Sequence, residues 1–243
     1  MEKLYKIADD NCEKIKNSIY PGRTIIVGIS PNKKNIIQLY WTMGRSENSK
    51  NRHILKAGED IRTEPLDKDE TMLHKNLLIY NIARTVGSYH IVSNGTQTDT
   101  IYDYLKAGKK FEDAIAVMSF ENDEPIFTPR ISGLIRIDSG SIEYKLGIVK
   151  TIDQNPSYLL KHIYTYNDSI PGIGYCINTY DLNEECKPFL GEPYYVKLFD
   201  DIDAAADYYW NILDKQKRVG MYIKYINLES GAVEEMIVNE RHR

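Results

Sequence analysis

Apolar residues recur along this chain with two different periods, and the change from one to the other predicts its secondary structure. Near the start, apolar side chains return every three or four residues, which is typical of an amphipathic helix: Leu4, Ile7, Ala8, Ile15 and Ile19. Pro21-Gly22 ends this helix. Three further helices are predicted: Thr98 or Asp99 to Leu105, Phe111 to Met118, and Asp201 to Leu213.

Most of the remaining chain consists of short β-branched and apolar stretches between turn residues, which predicts hairpins. The predicted strands cover residues 24–29, 36–43, 75–84, 89–93, 131–137, 141–149, 158–166, 174–180, 194–199, 219–228 and 232–238. Residues 53–73 are charged and irregular, so short strands and loop are expected there. Strands and helices do not alternate in a βαβ rhythm. The pattern therefore favours a single α+β domain over residues 1–243, with the helix at 1–20 as an extension.

The amino-acid composition is that of an ordinary globular protein except for its high tyrosine content. The chain has 243 residues, 42% of them hydrophobic and 27% charged, so it can bury a sizeable core. Tyrosine is abundant, with 19 residues against 5 phenylalanines. Because a tyrosine has an aromatic body and a polar tip, it suits half-buried strands and sites that hold planar ligands.

Charge and cysteine content narrow the range of partners. A net charge of −4 argues against a nucleic-acid or anionic-membrane partner, which would require a basic face. The three cysteines and five histidines show neither disulfide nor metal-ligand spacing. The chain has no apolar run of membrane-spanning length and no signal sequence. We therefore expect a cytoplasmic protein without metal or organic cofactor; the sequence leaves a homo-oligomeric state open.

A basic, hydroxyl-rich loop follows the predicted strand at 36–43. It contains Gly44-Arg45-Ser46 and Asn51-Arg52. Guanidinium groups match phosphate oxygens two at a time, so such a loop suits an anion and above all a phosphate. Taken alone, a charged loop of this kind is more often a solvated hairpin tip.

Two polar clusters border the predicted strand pair at 75–93. Tyr80-Asn81 lies within an apolar stretch, and Asn81 needs hydrogen-bond partners if it is buried, although a solvent-facing position explains it equally well. Ser93-Asn94-Gly95 precedes Thr98-Asp99 at a predicted helix start, where backbone amides can cradle an anion. For Asp99 alone, a helix cap is the simpler interpretation.

A last cluster combines acids with an arginine. Glu121 and two further acids come shortly before Thr128-Pro129-Arg130. Carboxyl groups near an arginine can divide into an acid and a base when their environments differ, whereas a solvated loop is the plainer alternative. The sequence contains no Walker, dinucleotide, GxSxG or HExxH motif. This leaves substrate positioning and acid–base chemistry rather than covalent or metal catalysis.

Taken in order, these clusters resemble the archaeal-type IMP cyclohydrolase family and its bacterial relatives. The matching segments are Gly44-Arg45-Ser46, Asn51-Arg52, Tyr80-Asn81, Ser93-Asn94-Gly95, Thr98-Asp99, Glu121 and Thr128-Pro129-Arg130-Ile131. The resemblance implies a four-layer αββα sandwich like that of the N-terminal-nucleophile hydrolases, with antiparallel sheets. It does not imply their chemistry, because the chain starts with Met1-Glu2.

The resemblance also implies an activity and a site. The reaction would close the purine ring of 5-formamidoimidazole-4-carboxamide ribonucleotide to IMP with loss of water. Arg45, Tyr80 and Glu121 would be catalytic, with Arg45 on the phosphate or carboxamide and the other two moving protons. The substrate would contact Ser46, Arg52, Asn81, Asn94, Asp99 and Arg130. Two alternatives are a purine-nucleotide-binding protein without catalysis and an amide hydrolase acting on a related ribonucleotide.

Overall fold

The computed structural model describes residues 1–66, 79–138, 141–183 and 186–240. The helices are α1 (Glu2–Asn17), α2 (Glu47–Lys50), α3 (Gln97–Lys106), α4 (Phe111–Ala116) and α5 (Ile202–Ile212). The strands are β1 (Thr24–Ile29), β2 (Asn35–Met43), β3 (His53–Ala57), β4 (Asp60–Glu64), β5 (Tyr80–Val86), β6 (Tyr89–Ser93), β7 (Arg130–Asp138), β8 (Ser141–Ile152), β9 (Asn155–Tyr166), β10 (Ile173–Asn178), β11 (Tyr194–Lys197), β12 (Arg218–Asn227) and β13 (Val233–Asn239).

These strands form two antiparallel sheets. The first has the order β11-β10-β1-β2-β12-β13 and the second the order β3-β4-β5-β6-β7-β8-β9. The second sheet is a meander of neighbouring hairpins, while the first joins strands from both ends of the chain around the β1–β2 hairpin. The α+β class with antiparallel sheets, predicted from the hairpin pattern, is therefore confirmed.

Three layers of apolar side chains hold the elements together. The central layer lies between the sheets and joins, for example, Ile25 and Tyr40 of the first sheet to Ile82 and Ile135 of the second. A second layer packs α1 and α5 on the outer face of the first sheet, around Trp41. A third layer packs α3 and α4 on the outer face of the second sheet. Burial of apolar surface on both faces of each sheet explains why many strands are apolar without strict alternation.

Most predicted elements are confirmed, and their boundaries differ in understandable ways. Helix α1 stops at Asn17, ahead of the Pro21-Gly22 turn, and the irregular stretch after residue 52 contains the short β3–β4 hairpin. Strand β5 runs to Val86, so its turn is tighter than predicted. The first part of that predicted strand, residues 75–78, lies outside the described residues, as do residues 67–73. The short helix α2 carries little sequence signal and was not predicted.

The strand directions bring several loops to one end of the molecule. In the first sheet, the start of β1 lies beside the ends of β2 and β10, since Thr24 pairs with both Trp41 and Asn178. In the second sheet, the start of β7 lies beside the end of β6, since Ser93 pairs with Ser132. The segments before β1, after β2 and before β7 therefore meet at this end, and they carry the candidate site.

Candidate active site

Buried ionisable side chains gather between the two sheets at this end. Arg23, Arg52 and Glu121 are only 8%, 2% and 5% exposed. Tyr40 and Tyr80 are buried beside them, in the central apolar layer. Burial of charge is costly unless opposite charges and hydrogen bonds compensate it, so such a cluster is the first place to look for function.

The hydroxyl groups of Tyr40 and Tyr80 lie 3.3 Å apart and connect the two sheets. Tyr40 belongs to β2 and Tyr80 opens β5. Burial and the neighbouring Tyr80 raise the pKa of Tyr40 well above its usual value, which keeps this phenol protonated. Between the two hydroxyls, either can donate, so the pair can pass a proton without a change in charge.

Arg23 is held in the cluster by its backbone. Pro21-Gly22 turns the chain ahead of β1, and Gly22 has a φ of +78°, where a Cβ would lie 2.2 Å from the hydroxyl oxygen of Thr179. The Arg23 amide donates to that hydroxyl at 3.1 Å, and its carbonyl accepts from the Thr179 amide at 2.9 Å. The position of this arginine is therefore fixed by a turn that only glycine forms easily.

The guanidinium of Arg23 is surrounded by phenols and one carboxyl group. Burial alone would lower its pKa, but Tyr20, Glu121, Tyr80 and Tyr180 hold that pKa well above the usual value. Its Nε atom is buried without a hydrogen-bond partner among the residues that the structure describes. Sequence reasoning missed Arg23; the signal available was an arginine directly after Pro-Gly and directly before an apolar strand.

Arg52 lies in the same cluster, ahead of β3. Its Nε donates to the carbonyl of Ser49 at 2.9 Å, which anchors the side chain to α2. Burial lowers its pKa, and the nearby positive charge of Arg23 lowers it further. Two buried arginines that repel each other mark a position where a negative charge would be stabilised.

Glu121 faces these arginines from the loop between α4 and β7. Its backbone amide donates to the Thr128 carbonyl at 2.9 Å. Asp123 fixes the same loop by accepting from the Thr128 amide at 2.7 Å and from its hydroxyl, which also contacts the Tyr180 hydroxyl. Burial raises the pKa of Glu121 even though Arg23 and Arg130 act to lower it. A carboxyl group that exchanges its proton nearer neutrality suits acid–base chemistry.

Arg130 contacts the cluster from the start of β7. One of its Nη atoms lies 3.7 Å from a carboxylate oxygen of Glu121 and donates to Gln97 Oε1 at 2.7 Å. A Cβ added at Gly95 would lie 2.0 Å from that nitrogen, so glycine leaves the space that Arg130 occupies. The structure thus brings Arg52, Tyr80, Glu121 and Arg130 together among the residues selected from the sequence.

Asn94 is close to this group but its amide is already engaged within the protein. Its oxygen accepts from the amides of Ile131 and Gln97 at 2.8 Å each, and its nitrogen donates to the Pro129 carbonyl at 2.9 Å. These bonds join the end of β6 to the start of β7. The geometry gives Asn94 the role of orienting the segment that carries Arg130.

Arg45 and Ser46 lie outside the buried cluster. Arg45 is exposed, and its guanidinium carbon is 5.1 Å from the centre of the Tyr20 ring. Tyr20 in turn packs against the ring of Tyr180 at 5.6 Å, so Arg45 lies at the rim of the cluster. Ser46 caps α2 by accepting from the Ser49 amide, and this capping box uses its hydroxyl.

Asn81 and Asp99 lie on the opposite face of the second sheet from Tyr80. Asn81 follows Tyr80 in β5 and therefore points to the outer face, where its amide donates to Asp99 at 2.8 Å. Arg84 also contacts Asp99, at 3.0 Å. This network attaches α3 to the sheet, and the structure does not bring it together with Tyr80, Glu121 and Arg52.

The described residues contain no group of three or more histidine, cysteine or acidic side chains arranged to hold a metal ion. The functional groups that converge here are three arginines, one carboxyl group of raised pKa and two hydrogen-bonded phenols. Fold and site together define an α+β protein whose inter-sheet cluster is suited to a small anionic molecule and to proton transfer. Residues 20–231 match the IMP cyclohydrolase-like protein family, and the chain belongs to that family.

Curated proteins named "IMP cyclohydrolase" are similar to part of this chain. An "IMP cyclohydrolase" of Methanococcus maripaludis strain C7 is 31% identical over 131 residues, which cover 52% of this chain and 63% of the relative. One of Methanocella arvoryzae is 32% identical over 138 residues, covering 54% and 63%. One of Methanosphaera stadtmanae is 28% identical over 162 residues, covering 63% and 76%. For the first two, the similarity spans less than two thirds of the relative.

Within the described ranges, every helix is too short or too polar to cross a bilayer.

Proposed function

We propose that this protein is an IMP cyclohydrolase, a hydrolase acting on cyclic amidines, and closes the purine ring of 5-formamidoimidazole-4-carboxamide ribonucleotide in purine biosynthesis. The single observation that carries the proposal is the burial of Glu121 among Arg23, Arg52 and Arg130 beside the Tyr40–Tyr80 hydroxyl pair. Membership of the family supports it independently.

The reaction demands positioning and two proton movements. The carboxamide nitrogen attacks the formyl carbon and loses one proton, and the formyl oxygen becomes negatively charged before it is protonated. The formamido nitrogen then loses a proton as the C–O bond breaks, and water leaves. Holding the two groups in contact can contribute about 7–11 kcal/mol to the lowering of the barrier.

The buried cluster supplies groups for each of these steps. In the proposal, Arg23 and Arg52 stabilise the charge on the formyl oxygen, since buried cations act strongly where water is excluded. Glu121 accepts the carboxamide proton because its raised pKa makes it a better base than an ordinary carboxylate. Glu121 passes that proton to the charged formyl oxygen, and Tyr80, paired with Tyr40, protonates the resulting hydroxyl as it leaves as water and regains its own proton from the formamido nitrogen.

The remaining side chains would hold the nucleotide. Arg45, exposed at the rim, binds the phosphate, with Ser46 beside it at the start of α2. Arg130 orients the base, and Asn94 acts through Arg130 rather than by contact. Asn81 and Asp99 contribute by attaching α3 to the second sheet.

The same proposal extends to the fold, the cellular location and the partners of the protein. We infer that residues 1–243 form one domain of the N-terminal-nucleophile hydrolase type, with α1 as an extension, since the family match begins at residue 20. The helix layers on both outer faces of the sheets support this fold. A cytoplasmic location is supported by three buried cysteines that form no disulfide. A partner other than nucleic acid is supported by the net charge of −4. No metal or organic cofactor is invoked.

An assay of ring closure tests the proposal. The purified protein is expected to convert the formamido nucleotide to IMP, followed by the absorbance of the closed ring. Arg45→Ala should raise KM more than it lowers kcat, because Arg45 is assigned to the phosphate. Micromolar IMP binding by calorimetry without turnover would instead indicate a nucleotide-binding protein, and release of formate would indicate an amide hydrolase.

A further inference from the structure

We propose that two copies of this chain associate through strand β9, which forms one continuous sheet across both subunits. Among the residues that the structure describes, β9 is the terminal strand of the second sheet and pairs with β8 alone. It is 12 residues long, and its first part is exposed: Tyr158 is 57% and Leu159 46% accessible. A terminal strand presents a row of unpaired backbone groups, and another strand is the partner that satisfies them.

The other terminal strands of the two sheets are protected. At β3, the side-chain amide of Asn239 bonds both the amide and the carbonyl of Ile54, at 2.8 and 2.9 Å. At the four-residue β11, helix α1 covers the edge, and Asn11 donates to the Tyr195 carbonyl at 3.0 Å. These contacts occupy the backbone groups that would otherwise pair with another chain.

The last terminal strand, β13, carries charge instead of a covering element. Glu234 is exposed on this seven-residue strand, while Glu235 is paired with Lys56 of β3 at 2.7 Å. Acidic side chains on an edge oppose pairing with a second copy, because like charges would face each other. β13 is therefore a poor surface for self-association.

β9 shows none of these protections among the described residues. Pro156 occupies only its second position, which leaves ten residues without proline. Its one lysine, Lys161, turns to the outer face and donates to the Ala116 carbonyl of α4, so it does not project from the edge.

Symmetry favours a second copy as the occupant of this edge. Two antiparallel copies of β9 are related by a twofold axis perpendicular to the sheet, and residues that face each other then lie on the same face. With the axis at Leu160, Lys161 lies opposite Leu159 of the partner subunit, and the two lysines stay apart. A strand with one lysine and no acid thus pairs with itself without direct charge repulsion.

Sedimentation of the full chain over a range of concentrations, with a matched pair of variants, tests this interface. The wild type is expected to reach twice the monomer mass as concentration rises. Leu159→Lys should remain monomeric. The matched control is Val233→Lys, which introduces the same charge at an apolar residue of β13 that is 49% exposed. This variant should associate like the wild type.

Further readouts separate loss of pairing from loss of folding. Each variant must keep the wild-type circular dichroism spectrum and thermal midpoint; should Leu159→Lys fail to fold, Tyr158→Lys takes its place. Backbone amides of β9 should exchange slowly with deuterium at high concentration and faster on dilution. A wild type that stays monomeric throughout, or a folded Leu159→Lys that dimerises normally, overturns the proposal.

Discussion

Tyr40 and Tyr80 come from different sheets, yet their hydroxyl groups are 3.3 Å apart in the interior of the protein. Packing by itself does not require the two hydroxyl groups, because two apolar rings would fill the same space in the core. The pair lies beside Arg23, Arg52 and Glu121, so ionisable side chains surround its hydroxyl groups.

Removing the Tyr80 hydroxyl should impair chemistry more than binding. In Tyr80→Phe, kcat for IMP formation is expected to fall about 100-fold, the usual contribution of a positioned proton donor, with KM little changed. Tyr40→Phe should have a smaller effect, because Tyr40 is assigned to support Tyr80. Steady-state kinetics of both variants measure this. An equal loss in the two would assign the proton transfer to the pair as a unit, and no loss in Tyr80→Phe would contradict its role.

Arg23 should matter for the rate although sequence reasoning did not select it. Arg23→Lys keeps the positive charge but loses the planar fork, so kcat is expected to fall by about 10²-fold, as for the loss of one oxyanion donor. The matched control is Arg136→Lys, at an exposed arginine paired with Asp138. Unchanged kinetics in Arg23→Lys, with the fold intact, would remove Arg23 from the proposed mechanism.

Glu121 should leave a signature in the pH dependence of the reaction. Burial raises its pKa, so the basic form that accepts the carboxamide proton builds up at a higher pH than for an ordinary glutamate. The rate of the wild type should therefore rise with pH through an ionisation above 4.5, and Glu121→Gln should lose this ionisation together with most of kcat. Glu112→Gln, at a carboxyl group whose pKa Lys145 lowers despite burial, serves as the control and should keep the wild-type profile.

His90 should make the fold sensitive to acid. Burial, and then the charge of Lys224, lower its pKa to about 4, while Glu235 opposes the shift weakly. Below the ordinary histidine pKa, the unfolded chain binds a proton on His90, whereas the folded protein does not. The free energy of unfolding is therefore highest above that pKa and falls as pH decreases towards 4. The free energy of unfolding should fall by about 3 kcal/mol over this pH range.

Urea unfolding at neutral pH and near pH 4.5 measures this loss. In His90→Gln, the difference in unfolding free energy between the two conditions should be smaller than in the wild type, since glutamine does not titrate. His162→Gln, at an exposed histidine of β9, is the control and should retain the wild-type difference. An equal acid sensitivity in His90→Gln and the wild type would contradict the assignment.

Much of the fold could be predicted from the sequence because local signals and burial agree. Pro21-Gly22, the β-branched runs and the hairpin turns mark element after element, and the structure follows them. The pairing of β12 with β2 could not be predicted, because nothing local links residues so far apart in the chain. Helix α2 was missed because one turn has no periodicity.

The site was predictable to a lesser degree, for reasons of geometry. Tyr80 and Asn81 are adjacent in sequence, but alternation along a strand sends them to opposite faces, so only Tyr80 lies near the buried Arg23 and Arg52. Arg45 and Arg52 look equivalent in the sequence, yet Arg52 is buried and Arg45 exposed. Which of two similar residues enters the interior depends on the path of the loop, and composition does not carry that information.

The central claim is that the arginines, phenols and carboxyl group between the sheets hold the reacting nucleotide. A crystal structure of the protein with IMP bound tests it most directly. The account predicts the purine ring within hydrogen-bonding distance of Tyr80 and Glu121, with the phosphate towards Arg45 at the rim. A nucleotide bound on the outer face of either sheet, with this cluster unchanged and empty, would contradict it.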